Sequence, residues 1–69
     1  MAGSREMTKG EKAVRMDFNP LPVVRTIKED TAALIDMCET LKEKDGRLVA
    51  LAQTAYEEAC MWAVKAATA

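Results

Sequence analysis

From Val23 onward, apolar and polar positions alternate at helical spacing. Val24, Ile27, Thr31, Leu34, Cys38 and Leu41 are separated by three and four residues in turn, a heptad-like seam. Arg25, Glu29, Asp36, Glu39, Lys42 and Glu43 fall off it. A second series, Leu48, Ala52, Ala55, Ala59, Trp62 and Ala66, follows the interruption Lys44-Asp45-Gly46-Arg47. That interruption reads as a tight reversal, with Asp45 capping the next helix and Gly46 absorbing the turn. A link so short makes the two helices antiparallel neighbours. The pattern predicts an all-α protein, an antiparallel two-helix hairpin with helices over about 20–43 and 46–67.

Phe18-Asn19-Pro20-Leu21-Pro22 marks the entry to the first helix. Asn19 before Pro20 reads as N-cap and first helical position. Phe18 then packs on Val23 as a hydrophobic staple. Residues 1–17 form an arm without sustained periodicity. Within it, Thr8-Lys9-Gly10-Glu11 has the spacing to open a short helix toward Met16, Thr8 capping and Glu11 at the third position. The alternative is an extended, mobile arm. The chain therefore divides into an arm, 1–17, and a hairpin domain, 18–69.

The two seams do not exhaust the apolar positions. Val23, Ala33, Ile35 and Met37 widen the first face, and Val49, Leu51, Tyr56, Cys60, Ala63 and Val64 lie outside the second seam and its polar stripe. One partner helix cannot cover them all. A chain of 69 residues buries only about 60% of its unfolded surface. At about 25 cal/mol per Å² of apolar area, several exposed large side chains forgo several kcal/mol, comparable to a small domain's whole stability. Self-association into a homo-oligomer is the expectation.

Charge adds an asymmetry that the net value of −1 conceals. Residues 1–28 carry six bases (Arg5, Lys9, Lys12, Arg15, Arg25, Lys28) against three acids, a balance of +3. Residues 29–69 carry four bases against eight acids, a balance of −4. A polarised chain of this kind is not a nucleic-acid-coating one. No apolar run approaches the ~20 residues of a membrane span, and the N-terminus lacks a signal peptide's apolar core. A soluble, cytoplasmic protein without nucleic-acid or membrane partners is expected.

Catalytic chemistry finds no support. There is no His, no nucleophile–base pair and no glycine-rich phosphate loop, and two cysteines without histidine supply a metal site poorly. No cofactor and no metal are expected, and the protein is not expected to be an enzyme. Folding the hairpin about residue 45 sets Cys38 and Cys60 about 10 Å apart along the axis, beyond disulfide reach. They read as small buried residues. The same arithmetic sets Trp62 against Ile27 and Lys28, as core. Two readings stay open for each remaining candidate. Phe18 is a staple or a flat face for stacking a base. Lys28, near Phe18, Arg25 and Arg15 at the open end of the hairpin, lies on a solvated helix face beside Glu29 and Asp30, or joins a cluster that holds a phosphate.

Ala52-Gln-Thr54 through Ala59-Cys-Met61-Trp62-Ala63-Val-Lys65-Ala66 resembles the closing helix of the phage anti-CBASS sponge family, which shares a helical hairpin with the anti-Thoeris sponges. Phe18-Asn19-Pro20, Ile27-Lys28 and Leu34 also resemble that family, so the likeness spans roughly Phe18 to Ala66. The resemblance implies a phage-encoded protein assembling as a homohexamer. It implies binding and sequestration, without cleavage, of cyclic dinucleotide immune messengers such as cyclic GMP-AMP, in some members also trinucleotides. It further implies that Phe18 stacks on a base and Lys28 contacts phosphate; Arg25 and Arg15 join them as ligand candidates from the basic cluster alone. This chain departs from longer members in its short, doubly proline-marked link between Phe18 and Lys28, which bears on pocket shape. Anti-Thoeris relatives carry further C-terminal sequence for an ADP-ribose-type ligand, and an end at Ala69 implies the cyclic-oligonucleotide branch. The alternative is a structural oligomerisation or adaptor module with no small-molecule ligand.

Overall fold

The computed structural model describes residues 6–16 and 20–69, and the order of elements is α1 (Lys9–Ala13), α2 (Pro22–Glu39) and α3 (Gly46–Ala67). All three are helices, and α1 and α3 pack on α2.

Local chemistry explains each boundary. α1 opens on a capping box: Thr8 Oγ1 accepts from the Glu11 amide at 3.1 Å, and Glu11 Oε1 accepts from the Thr8 amide at 2.8 Å, as the spacing predicts. α2 starts two residues later than the Asn19–Pro20 reading places it. Its N-cap is Leu21, without a side-chain cap, and Pro22 is its first residue. Leu21 precedes a proline, whose ring excludes the helical region for its neighbour, and Leu21 is accordingly extended at φ −136°, ψ 150°. The proposed Asn19 cap and Phe18 staple lie outside the described residues.

α2 also ends earlier than residue 43. The amides of Thr40, Leu41 and Lys42 each bond three residues back, to Met37, Cys38 and Glu39 at 3.1, 3.0 and 3.3 Å, and the Thr40 hydroxyl donates to the Met37 carbonyl at 2.7 Å. These tighter bonds unwind the helix into successive turns. The turns, not Gly46, make the reversal: Gly46 is the first residue of α3 and has no positive φ. Asp45 caps α3 as expected, its Oδ1 accepting from the amides of Arg47 and Leu48 at 3.1 Å each.

The register is close to the fold-back arithmetic. Gln53 donates to the carbonyl of Ile35 at 2.9 Å and to Glu39 Oε2 at 3.0 Å, the two residues that flank position 37. The inward faces, however, are not the predicted seams. In α2 the buried residues are Val24, Lys28, Ala32 and Ile35; in α3 they are Val49, Gln53 and Cys60. In each helix this stripe lies largely one residue C-terminal to the seam, a rotation of about 100°. Leu34, Leu41, Leu48 and Trp62, all seam positions, are exposed, Trp62 at 58%. The placement of Trp62 in the core is therefore overturned for the single chain.

The core is small and draws on every element: Val14 of the α1 C-cap, Ala32 and Ile35 of α2, and Cys60 of α3. Cys60 is buried as expected, Cys38 is half-buried, and both are free thiols. The Cα envelope measures 37 × 36 × 12 Å. A molecule this thin has little interior in which to hide its large side chains.

Candidate functional site

The site is built around the end of α1. After Ala13 the chain turns through a Schellman motif. The Met16 amide bonds the Glu11 carbonyl at 3.1 Å and the Arg15 amide bonds the Lys12 carbonyl at 3.3 Å. Arg15 occupies the left-handed position of that motif, at φ 60°, where glycine is the usual residue. For an L-residue with a side chain this conformation costs about 1–2 kcal/mol. The turn is pinned from outside: Lys28 Nζ donates to the Arg15 carbonyl at 2.7 Å. Lys28 is only 4% exposed, which excludes the solvated-face reading. A cation at the carbonyl end of a helix is also favourably placed against its dipole.

α1 lies where it does because of Gly10. A Cβ there would sit 2.1 Å from the Ala32 carbonyl oxygen, so only glycine permits this approach. The Gly10 amide donates to Asp36 Oδ1 at 2.8 Å. One turn of α2 further on, Lys9 Nζ donates to Gln53 Oε1 at 2.9 Å and pairs with Glu39 Oε2 at 3.5 Å. Gln53 thus bonds all three helices, through Lys9, the Ile35 carbonyl and Glu39. The Glu39 carboxyl is held below its ordinary value of 4.5, chiefly by the hydrogen bond from Gln53, with smaller contributions from Lys42 and Lys9 opposing partial desolvation.

Between α1 and α3 runs an open cleft of about 860 Å³. Its floor is apolar (Ala13, Val14, Cys60, Val64), and its charged lining combines Lys12, Arg15 and Lys65, with the buried Lys28 beneath the Arg15 turn, and Glu57 and Glu58. Four bases against two acids leave it net cationic, suited to an anion with an apolar or flat body. The structure brings Arg15 and Lys28 together here. It does not bring Arg25, which pairs with Glu29 at 3.2 Å beside a smaller hollow of about 410 Å³ between α1 and α2. Phe18 lies outside the described residues. Lys12 and Lys65 are rim residues that the sequence reading did not single out. Lys65 stood in the Met-Trp-Ala-x-Lys signature; its Nζ sits 5.2 Å from the centroid of the Trp62 ring, a cation–π distance. Lys12 lies in the last turn of α1, just ahead of the turn that carries Arg15. Among the described residues no group of Cys, Asp and Glu could hold a metal ion, and no helix is long and apolar enough to cross a membrane.

The fold is a helical hairpin preceded by a short capped helix. The family described as Acb2/Tad1, hairpin domain, matches residues 8–68. The chain belongs to the Acb2/Tad1 hairpin family. It is the sponge family that the signature on α3 resembles. The match begins at Thr8, the N-cap of α1, and so takes in the lead-in helix with the hairpin. No curated protein matches the chain, and no solved structure does.

Proposed function

We propose that this protein is a phage-encoded sponge that binds and sequesters cyclic dinucleotide messengers, cyclic GMP-AMP among them, and leaves them chemically intact. Membership of the Acb2/Tad1 hairpin family is the observation that carries this reading. The physical features agree with it. A sponge needs stoichiometric, preorganised binding and no reacting groups, and the cleft offers a cationic rim over an apolar floor. Arg15 and Lys28 are the phosphate contacts on this reading, with Phe18 stacking on a base. Arg25 lies outside this cleft, paired with Glu29 beside the smaller hollow, and is not among the ligand contacts on this reading.

Self-association belongs to the same proposal. The exposed seam residues Leu34, Leu41, Leu48 and Trp62 are the surface through which copies join, as a homohexamer. A ligand with two phosphates is matched by two copies related by a two-fold axis, each giving one Arg15 and one Lys28. A purely structural oligomerisation module would use the same apolar seams but has no use for the cationic rim.

The test is calorimetric titration of the purified protein with a panel of cyclic dinucleotides, followed by heat release and chromatography of the bound ligand. Stoichiometric binding and recovery of unchanged ligand are expected. Phe18→Ala and Lys28→Met should each weaken binding about tenfold or more, the scale of a stacked base or a charged hydrogen bond. No binding by any member of the panel would overturn the reading, and recovery of a linearised product would replace sponge by enzyme.

A further inference from the structure

The contacts that dock α1 lie outside the cleft yet decide where its rim lies. Gly10 and Asp36 fix α1 against α2, and Lys9 ties it to Gln53 and Glu39. The three residues after α1 form the tight turn that carries Arg15, and Lys28 reaches the cleft through that turn's carbonyl. Nothing longer than one short helix separates the docking contact from the rim, so a displacement of Gly10 passes to Arg15 undiminished. Arg15 is moreover fixed by backbone bonds and a left-handed φ of 60°, and such a turn transmits movement of the helix instead of absorbing it.

We propose that Gly10 and Asp36 are positioning residues for the cationic rim: by locking α1 onto α2 they set the separation and direction of Arg15 and Lys28, and through these the affinity of the cleft for phosphate groups. The inference rests on the proposed ligand-binding role of the cleft and adds a part of the chain that touches no ligand. A preorganised pair of cations binds an anion without first ordering the segment that carries one of them. Losing the lock leaves both charges in the molecule but makes their alignment a cost of binding.

Gly10→Ala should undock α1, because the added Cβ meets backbone and not a yielding side chain. Asp36→Ala removes the hydrogen bond without adding bulk, and Asp36→Asn keeps an oxygen acceptor for the Gly10 amide. Two readouts run side by side. Limited trypsin digestion at Lys12 and Arg15 reports α1 docking with no ligand present, and titration with cyclic GMP-AMP and with inorganic pyrophosphate reports the rim. Gly10→Ala and Asp36→Ala should be cut faster and bind both probes about tenfold or more weakly, and Asp36→Asn should restore both properties. Faster cutting with unchanged affinity for both probes overturns the proposal, as does unchanged cutting in both disruptive variants. If wild type binds pyrophosphate at the rim but no cyclic dinucleotide, the sponge reading fails and the pyrophosphate arm alone decides the positioning role. If wild type binds neither, both fall together.

Discussion

Arg15 is where stability and binding should part company, and Arg15→Gly separates them. The residue holds the left-handed position of a Schellman turn at φ 60°, a conformation costing a side-chain-bearing residue about 1–2 kcal/mol. Glycine removes that cost but brings back about 0.4–1 kcal/mol through the greater freedom of the unfolded chain. The balance is a gain between about 0 and 1.6 kcal/mol, centred on ~0.8 kcal/mol. For a domain this small, the central value raises the melting temperature by about 3–6 °C. Lys28 still has its acceptor, because it bonds the Arg15 carbonyl and not the guanidinium. Arg15→Ala is the control: it deletes the same charge but keeps the Cβ, and so the strain. Thermal unfolding at fixed protomer concentration, which matters for any chain that self-associates, should rank the Gly variant above both wild type and the Ala variant. Both variants should bind cyclic dinucleotide more weakly than wild type. A Gly variant no more stable than the Ala variant would refute the strain account. A Gly variant that is more stable and binds as well as wild type would refute the reason offered for keeping arginine there.

Two further predictions concern stability and assembly. The Glu39 carboxyl lies below its unfolded value of 4.5 in the folded chain, so its contribution is present above that pH and fades as pH falls through the lower folded value. The urea midpoint of wild type should therefore exceed that of Glu39→Gln near pH 7, and the gap should close below about pH 4.5; a gap constant from neutral to acid pH would contradict the linkage. Leu34→Lys with Leu48→Lys places charges on two exposed seam positions and should reduce the mass of the particle in light scattering; an unchanged mass would show that copies join elsewhere.

Much of the helical framework was legible because it rests on local chemistry. The Thr8–Glu11 capping box and the Asp45 cap are spacing rules that a sequence displays directly. What was not legible depends on contacts across the chain. Glu29 and Asp30 beside Lys28 suggested a solvated face, but Lys28 is buried because α1 returns over α2. The residue that permits this is Gly10, which in sequence reads only as a weak point in a short helix. Arg15 hid its turn for a similar reason: glycine would have announced the left-handed position, and arginine did not. Phe18, singled out on two independent grounds, falls outside the described residues, and its role rests with the titration.

The displaced seam has a physical meaning of its own. Periodicity reports that a helical face is to be buried; it does not say against what. In both helices the large seam residues Leu34, Leu41, Leu48 and Trp62 point outward, and the inward stripe sets Lys28 and Gln53 among Val24, Ile35 and Cys60. Polar residues are poor material for a hydrophobic core, but here each bonds backbone on another element, Lys28 the Arg15 carbonyl and Gln53 the Ile35 carbonyl. They contribute alignment of three short elements more than hydrophobic stability. Leu34, Leu41, Leu48 and Trp62 could have supplied that stability from inside, yet so thin a molecule has little inside to give them. Under the proposed assembly the division follows: polar bonds set the shape of each chain and its cationic rim, and apolar seams between copies supply the free energy that keeps the shape. Binding and assembly then favour the same folded state, so ligand and protomer concentration should each raise its melting temperature.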